Sequence, residues 1–320
     1  MEFTKQLIRK ELAEFEAFFA QYLQGHGGIL DTILKYLVRQ KGKKMRPMFV
    51  LLSAKLGGEI NQATFRAASL VELLHTATLV HDDVVDNAME RRGIFSINAL
   101  WKNKIAVLVG DFLLSKGLLL SVDHGDYSAL QTLSLAVKKM SEGELLQLEK
   151  ARSINLNEEI YFTIIRGKTA SLLASSCMAG AQTTIADAEK CNLLYQFGEA
   201  VGMAFQIRDD LFDYDDNTAG KPIGLDIREK KITLPLLYAL NNASTVDKKK
   251  LLHTVKKNTK SNEEIQWIVQ EAHRLGGVAY ATETMHNFKK QALHLLHSFP
   301  ENDARKALEE LVLFTIDRKN

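Results

Sequence analysis

The chain has 320 residues, 46% of them hydrophobic and 25% charged, with a formal net charge of +2. This is the composition of a globular protein with a large core, and the absence of a bulk basic excess excludes a general nucleic-acid binder. Its two cysteines, Cys177 and Cys191, read as buried thiols of a reducing compartment rather than as a disulfide, so a cytoplasmic location is expected.

The N-terminal stretch mixes Glu and Lys, unlike a signal or transit sequence. Residues 105–122 are the most apolar later stretch, but Asp111 and Lys116 interrupt them, which argues against a membrane span. Four prolines all fall at or near breaks in helical periodicity, and alternating strand patterns are hard to find. The expected class is therefore all-α, a bundle of long helices forming one domain over residues 1–320.

In chain order, helices are predicted over 3–24, then from the glycine break at 25–28 through Val38, then beyond the basic turn Gly42–Pro47. Further helices are predicted over 62–85, 97–121, 127–152, 158–180, 187–213, 231–241, 245–256, 262–274, 278–297 and 302–317. Ser261 and Glu264 have the spacing of a capping box.

The helix over 62–85 carries the first chemical signal. Its apolar positions Leu70, Leu73, Leu74, Ala77 and Val84 recur at helical intervals, and the segment ends in Asp82, Asp83 and Asp86. Residues four apart share a helix face, so Asp82 and Asp86 point one way, and such a group repels itself unless a cation intervenes. By itself the trio is either a solvated acidic turn or a cation site. A second trio, Asp209, Asp210 and Asp213, repeats the spacing at the end of another apolar helix. The repeat points to two walls of one metal site, and hard carboxylate oxygens completed by substrate phosphate suit magnesium.

Phosphate ligands accompany the trios. Lys43 and Arg46 flank the basic turn, Arg91 and Arg92 follow the first trio, Lys168 and Thr169 lie in IIRGKTA, and Lys221 lies in GKPIG. Each alone is an ordinary surface residue, but together they suggest two diphosphate pockets, one bound through metal and one by direct contacts.

With these motifs, and with VGDFLL from Val109, EGELLQ from Glu142, YFTIIRGKTASL from Tyr161, GMAFQIRDDLFDY from Gly202, ITLP from Ile232 and GGVAYA from Gly276, the sequence resembles the trans-polyprenyl diphosphate synthase family over nearly its whole length. The resemblance implies an isoprenoid synthase-type helical bundle around a deep central cavity. It also implies magnesium-dependent, head-to-tail condensation of isopentenyl diphosphate onto an allylic diphosphate. Carried over by position, Asp82, Asp86 and Asp209 would be metal ligands, supported by Asp83, Asp210 and Asp213. Arg91, Lys168, Thr169, Gln206, Lys221 and Lys231 would contact the allylic diphosphate, with Lys168 also counted as catalytic. Lys43, Arg46, His75 and Arg92 would hold isopentenyl diphosphate. A homodimer is implied; peripheral membrane contact for product release is expected because a long prenyl product is insoluble in water, and the near-neutral charge predicts no nucleic-acid partner.

Two positions depart from the family pattern. Lys230 stands where a Gly usually precedes the last basic residue of the second-motif region, which makes the role of Lys231 less certain. Phe314 stands where a Tyr often lies four residues before an Arg, here Arg318. Five and four residues before Asp82, Ala77 and Thr78 are small where short-product members carry a large aromatic, and Leu74 is the next candidate floor. Small residues there leave the tunnel open, at about one isoprene unit per ~5.4 Å helical turn; the expected product has roughly thirty to fifty carbons, and the resemblance implies a value near forty, as for a quinone side chain. Alternatives are a catalytic subunit that needs a small partner chain, or a shorter-product geranylgeranyl synthase. A terpene cyclase lacks the second diphosphate pocket, and a noncatalytic helical scaffold predicts no magnesium-dependent turnover.

Overall fold

The computed structural model describes residues 1–25, 27–39, 42, 44–91, 93–153, 157–215 and 224–317. The structure is all-α. Its helices are α1 (Glu2–Leu7), α2 (Arg9–Tyr22), α3 (Gly28–Arg39), α4 (Met45–Gly57), α5 (Gln62–Val85), α6 (Ile97–Asp123), α7 (Tyr127–Ser153) and α8 (Glu158–Ile165). They continue with α9 (Ser171–Ala181), α10 (Ala188–Leu211), α11 (Leu225–Arg228), α12 (Leu234–Asn242), α13 (Thr245–Lys256), α14 (Asn262–Arg274), α15 (Gly277–Leu296) and α16 (Asp303–Asp317).

The chain divides into two compact units, residues 1–137, 175–195 and 299–308 in the first and residues 138–174, 196–298 and 309–320 in the second. In the first unit, Leu73, Ala77 and Val80 of α5 pack with Ala106, Val109 and Leu113 of α6 in one apolar cluster. The leucines and valines among them contribute roughly 1.5–3 kcal/mol each when fully buried, which helps hold the acid-bearing end of α5 in place. By length and composition α6 is apolar enough to cross a membrane, yet one of its faces is spent in this cluster. Asn61 caps α5 by accepting from Thr64 N at 3.2 Å.

In the second unit, Leu236 and Leu240 of α12 pack with Leu251 and Val255 of α13 and with Ile265, Ile268 and Ala272 of α14. The predicted box at the start of α14 is present. Glu264 N donates to Ser261 Oγ at 3.2 Å, and Ser261 N donates to Glu264 Oε2 at 3.0 Å.

Four features differ from the sequence expectation, the first being that the single helix predicted over 3–24 is divided at Ile8 into α1 and α2. The long helix predicted over 158–180 is broken by a π-helical turn at Arg166–Ala170. The short helix α11 precedes α12. A two-residue antiparallel ribbon, β1 (Glu90–Arg91) with β2 (Ile94–Phe95), follows α5. Each is shorter than the periodicity window that reveals a helix or strand. Both cysteines are free and buried, as expected, and burial pushes the Cys177 thiol up to about 12.

Candidate active site

Both acid trios sit at helix C-termini. Asp82 and Asp83 lie in the last turn of α5, with Asp86 as its C-cap. Asp209 and Asp210 lie in the last turn of α10, and Asp213 in the 3-10 turn Phe212–Tyr214 that follows. A helix C-terminus already carries partial negative charge and unpaired carbonyls, so three carboxylates there are unfavourable without a cation.

In the first unit the middle aspartate is turned inward. Asp83 is 4% exposed, and Arg91 Nε donates to its Oδ1 at 2.7 Å. Asn98 Nδ2 donates to Asp83 O at 3.2 Å and to Ala88 O at 3.1 Å, and Ser96 Oγ donates to Ala88 O at 2.6 Å. These bonds fasten the start of α6 to the end of α5. Asp86 is exposed and Asp82 half-buried. Arg91 is thus the partner of Asp83 in this state, rather than an unengaged cation. His81, beside the trio, places Nε2 3.5 Å from Asp111 Oδ1 of the VGDFLL segment.

The first unit also brings together two residues assigned by sequence to isopentenyl diphosphate. Arg46, in the first turn of α4, places Nη1 2.9 Å from His75 Nε2 on α5. A guanidinium only donates, so His75 accepts at Nε2 and carries its proton on Nδ1. Of the chain-length candidates, Ala77 is buried in the cluster with α6. Leu74 and Thr78, four apart, share a face, and Leu74 is buried while Thr78 is half-buried. Thr78 Oγ1 donates to His75 O at 2.8 Å.

In the second unit the middle aspartate is again the anchored one. Asp210 is 1% exposed. Tyr161 OH donates to its Oδ2 at 2.7 Å, Gln206 Nε2 to its Oδ1 at 3.0 Å, and Lys231 Nζ approaches Oδ1 at 3.4 Å. Thr169 Oγ1 donates to Gln206 Oε1 at 2.7 Å, so four sequence-assigned residues form one chain of bonds. Burial opposes the charge of Lys231, but Asp210 and Asp226 prevail and hold its ammonium above the ordinary lysine range. Burial raises Asp210 despite the neighbouring Lys231. Asp213 accepts from Asp226 N at 2.5 Å. Burial, and then repulsion by Asp226, raise it from 3.8 to about 6.

Lys168 and Thr169 project from the π-helical turn, a distortion often found at functional sites. Two glycines make room for it. A Cβ on Gly143 of α7 would stand 2.9 Å from Lys168 N, and one on Gly167 would stand 2.8 Å from Lys139 O. Lys168 forms an ion pair with Glu144, next to Gly143. The EGELLQ motif therefore acts by close backbone approach and by supplying the partner of Lys168.

Lys43, Arg92, Lys221 and Arg318 lie outside the described residues. Sequence reasoning did not single out Tyr161, Asp226, Asn98 or Glu144. Tyr161 and Glu144 stand inside quoted motifs, but no spacing rule links them to Asp210 or Lys168. The side-chain phenol of Tyr280 donates to Glu158 beside a surface depression on α15 that holds none of the sequence-assigned residues.

Among the described residues no three His, Cys, Asp or Glu side chains converge to hold an ion by protein ligands alone. Magnesium does not require it, since it is commonly held by one or two carboxylates with water and substrate phosphate. The donor set fits: hard oxygens only, at two electronegative helix ends, with the first and last aspartates of each trio less buried than the anchored middle one.

All-α units with an acid trio at a helix end in each and basic side chains near them are compatible with the class of metal-assisted prenyl-transfer proteins. The polyprenyl synthetase family profile matches residues 28–272, and the chain belongs to that family; it is a prenyltransferase. It is 35% identical to an all-trans-nonaprenyl-diphosphate synthase (geranyl-diphosphate specific) of Rhodobacter capsulatus, over 97% of this chain and 96% of that one. It is 34% identical to heptaprenyl diphosphate synthase component 2 of Geobacillus stearothermophilus, over 96% and 95%. The crystal structure of a Caulobacter crescentus polyprenyl synthase, complexed with calcium and isoprenyl diphosphate, superposes with a TM-score of 0.90 at 32% identity, covering 100% of this chain and 98% of that one.

Proposed function

We propose that this prenyltransferase is a long-chain trans-polyprenyl diphosphate synthase that adds isopentenyl diphosphate repeatedly to an allylic diphosphate, giving a product of about forty carbons. Residues 1–320 act as one catalytic domain in the cytoplasm. The observation that carries the reading is the repeated design of the trios: at each helix end the middle aspartate is anchored internally, Asp83 by Arg91 and Asp210 by Tyr161.

The metal taken is magnesium, with Asp82, Asp86 and Asp209 as its ligands. When bound it supplies neutralisation of the charge that grows on the leaving diphosphate. Lys168, Thr169, Gln206 and Lys231, with Arg91 and Lys221, orient the allylic diphosphate and donate to its oxygens as its bond to carbon breaks. Arg46 and His75, with Lys43 and Arg92, hold isopentenyl diphosphate so that its double bond attacks the allylic cation. Loss of a proton to the departing diphosphate closes each cycle. The water-excluding apolar wall of α5, from Leu74 to Thr78, receives the growing tail, and the small side chains of Ala77 and Thr78 support the long product.

The exposed apolar residues Leu108, Leu119 and Val122 of α6, spaced along one side of the helix, support docking of a second copy and hence a homodimer. The similarity to a protein described as component 2 favours one second reading, a catalytic subunit that needs a partner chain. One experiment decides between them. The purified chain, with magnesium, a short allylic starter and labelled isopentenyl diphosphate, is expected to release product of about eight isoprene units. Fifteen- or twenty-carbon product sinks the long-chain reading, and no product by itself with recovery on adding a partner establishes the two-component one.

A further inference from the structure

Between Thr245 and Ser261 the chain carries six lysines and a single acid, Asp247, in a protein whose net charge is only +2. This concentration has a definite geometry. Leu251 and Val255 turn one face of α13 into the core of the second unit. Val246, Lys249, His253 and Lys256, at intervals of three and four, line the opposite face and are all exposed. Val246, at 76%, is an apolar side chain set in solvent at the head of the stripe.

Two of the nearby acids are already engaged. Asp247 pairs with Arg274 at 3.6 Å and Glu264 with Lys257. Beside the stripe, Arg228 and Lys230 are held by neutral amide oxygens, of Asn262 at 2.6 Å and Asn258 at 2.5 Å, so their charges are not cancelled by carboxylates. The exposed face of α13 is therefore cationic, with no acid at its own stripe positions.

We propose that this face of α13 docks the enzyme on an anionic lipid surface. The inference rests on the long-chain reading above, because a product of about forty carbons leaves water for a membrane and its synthase gains by being held there. Lysines act as hydrated point charges, which suits a diffuse array of phosphate headgroups. Nucleic-acid grooves instead use arginine forks and stacked aromatics, and the stripe has neither.

The test is flotation of the full chain with vesicles of phosphatidylcholine alone or mixed with phosphatidylglycerol, at low and high salt. Wild type is expected to float only with the phosphatidylglycerol vesicles and to be released by salt. Lys249→Gln with Lys256→Gln should lower partitioning by roughly 25-fold, about five-fold for each lysine removed. Arginine at both positions should restore it. Unchanged circular dichroism and unchanged turnover of a short starter show that the variant is folded.

No flotation, or equal flotation of the double variant, overturns the proposal. So does complete displacement by millimolar inorganic diphosphate, which marks a free-phosphate pocket, or equally tight, equally lysine-dependent binding of a single-stranded DNA. Product length is measured separately on the same preparations. A short product with intact flotation defeats only the long-chain reading, and a long product without flotation defeats only the docking.

Discussion

Arg46 and His75 stand 2.9 Å apart, guanidinium to imidazole Nε2, and bring the first turn of α4 onto the middle of α5. Loss of a partner from a charge-assisted hydrogen bond costs about 1.5–3 kcal/mol. His75→Ala is therefore expected to raise KM for isopentenyl diphosphate by roughly ten- to a hundred-fold with little change in kcat. A change confined to the allylic substrate's KM would remove His75 from the role proposed for it.

The acid trios lead to a sharper contrast. Asp82→Ala and Asp209→Ala should each lower kcat by about a thousand-fold or more, since metal-borne charge stabilisation is worth several kcal/mol, without loss of fold. Asp83→Ala should instead lower the melting temperature, because it removes the partner of Arg91; with Arg91 partly open to solvent the loss is about 1.5–3 kcal/mol. Steady-state kinetics and thermal melts on all three variants separate the outward aspartates from the anchored one.

Asp213 gives a pH prediction for metal-free protein. Its folded-state value, about 6, is raised from 3.8 by burial and by Asp226. The folded protein thus holds a proton that the unfolded chain releases between these values, and stability falls as pH rises through this window. The penalty is absent below the lower value and complete above the upper one. In EDTA, Asp213→Asn should raise stability near neutral pH by roughly 1–2 kcal/mol, less than the full shift because the group retains some solvent. At pH 4 it should change nothing; an equal gain at both pH values would assign the effect to something other than this carboxyl.

Lys230 adopts φ +61°, in the left-handed region, at the position where the family pattern has Gly. Relief of that strain is worth about 1–2 kcal/mol, offset in part by the added freedom of glycine in the unfolded chain and by the lost bond to Asn258. Lys230→Gly is expected to raise stability by about 0.5 kcal/mol, read from a denaturant melt, with Lys231 still holding Asp210.

Tail length is probed on α5. Thr78 is half-buried whereas Ala77 is enclosed by the cluster with α6. Thr78→Phe should shorten the product while the fold survives. Ala77→Tyr should also shorten it, but at a cost of about 1–3 kcal/mol from overpacking. Chromatography of the extracted, dephosphorylated products measures both, and unchanged length in Thr78→Phe would move the floor elsewhere.

Much of this was legible from the chain alone. The 3.6-residue period delimited α5, α13 and α14 as residues 62–85, 245–256 and 262–274, all as observed, because each buries a continuous face over many turns. The acid trios were legible for a related reason, since carboxylates at the end of an apolar helix violate the pattern they terminate.

What the sequence by itself determined was therefore the all-α class, the family, and the residue types the chemistry needs. Tertiary structure decided which aspartate of each trio is anchored. Tyr161 and Asp210 are 49 residues apart, and Asp83 meets Arg91 only because the ribbon turns the chain back after α5. It also decided the π-helical turn beneath Lys168 and the sharing of Lys231 between Asp210 and Asp226. Periodicity records which face of a helix avoids water, whereas a hydrogen bond between distant residues depends on how those faces pack, and spacing along one chain does not encode that.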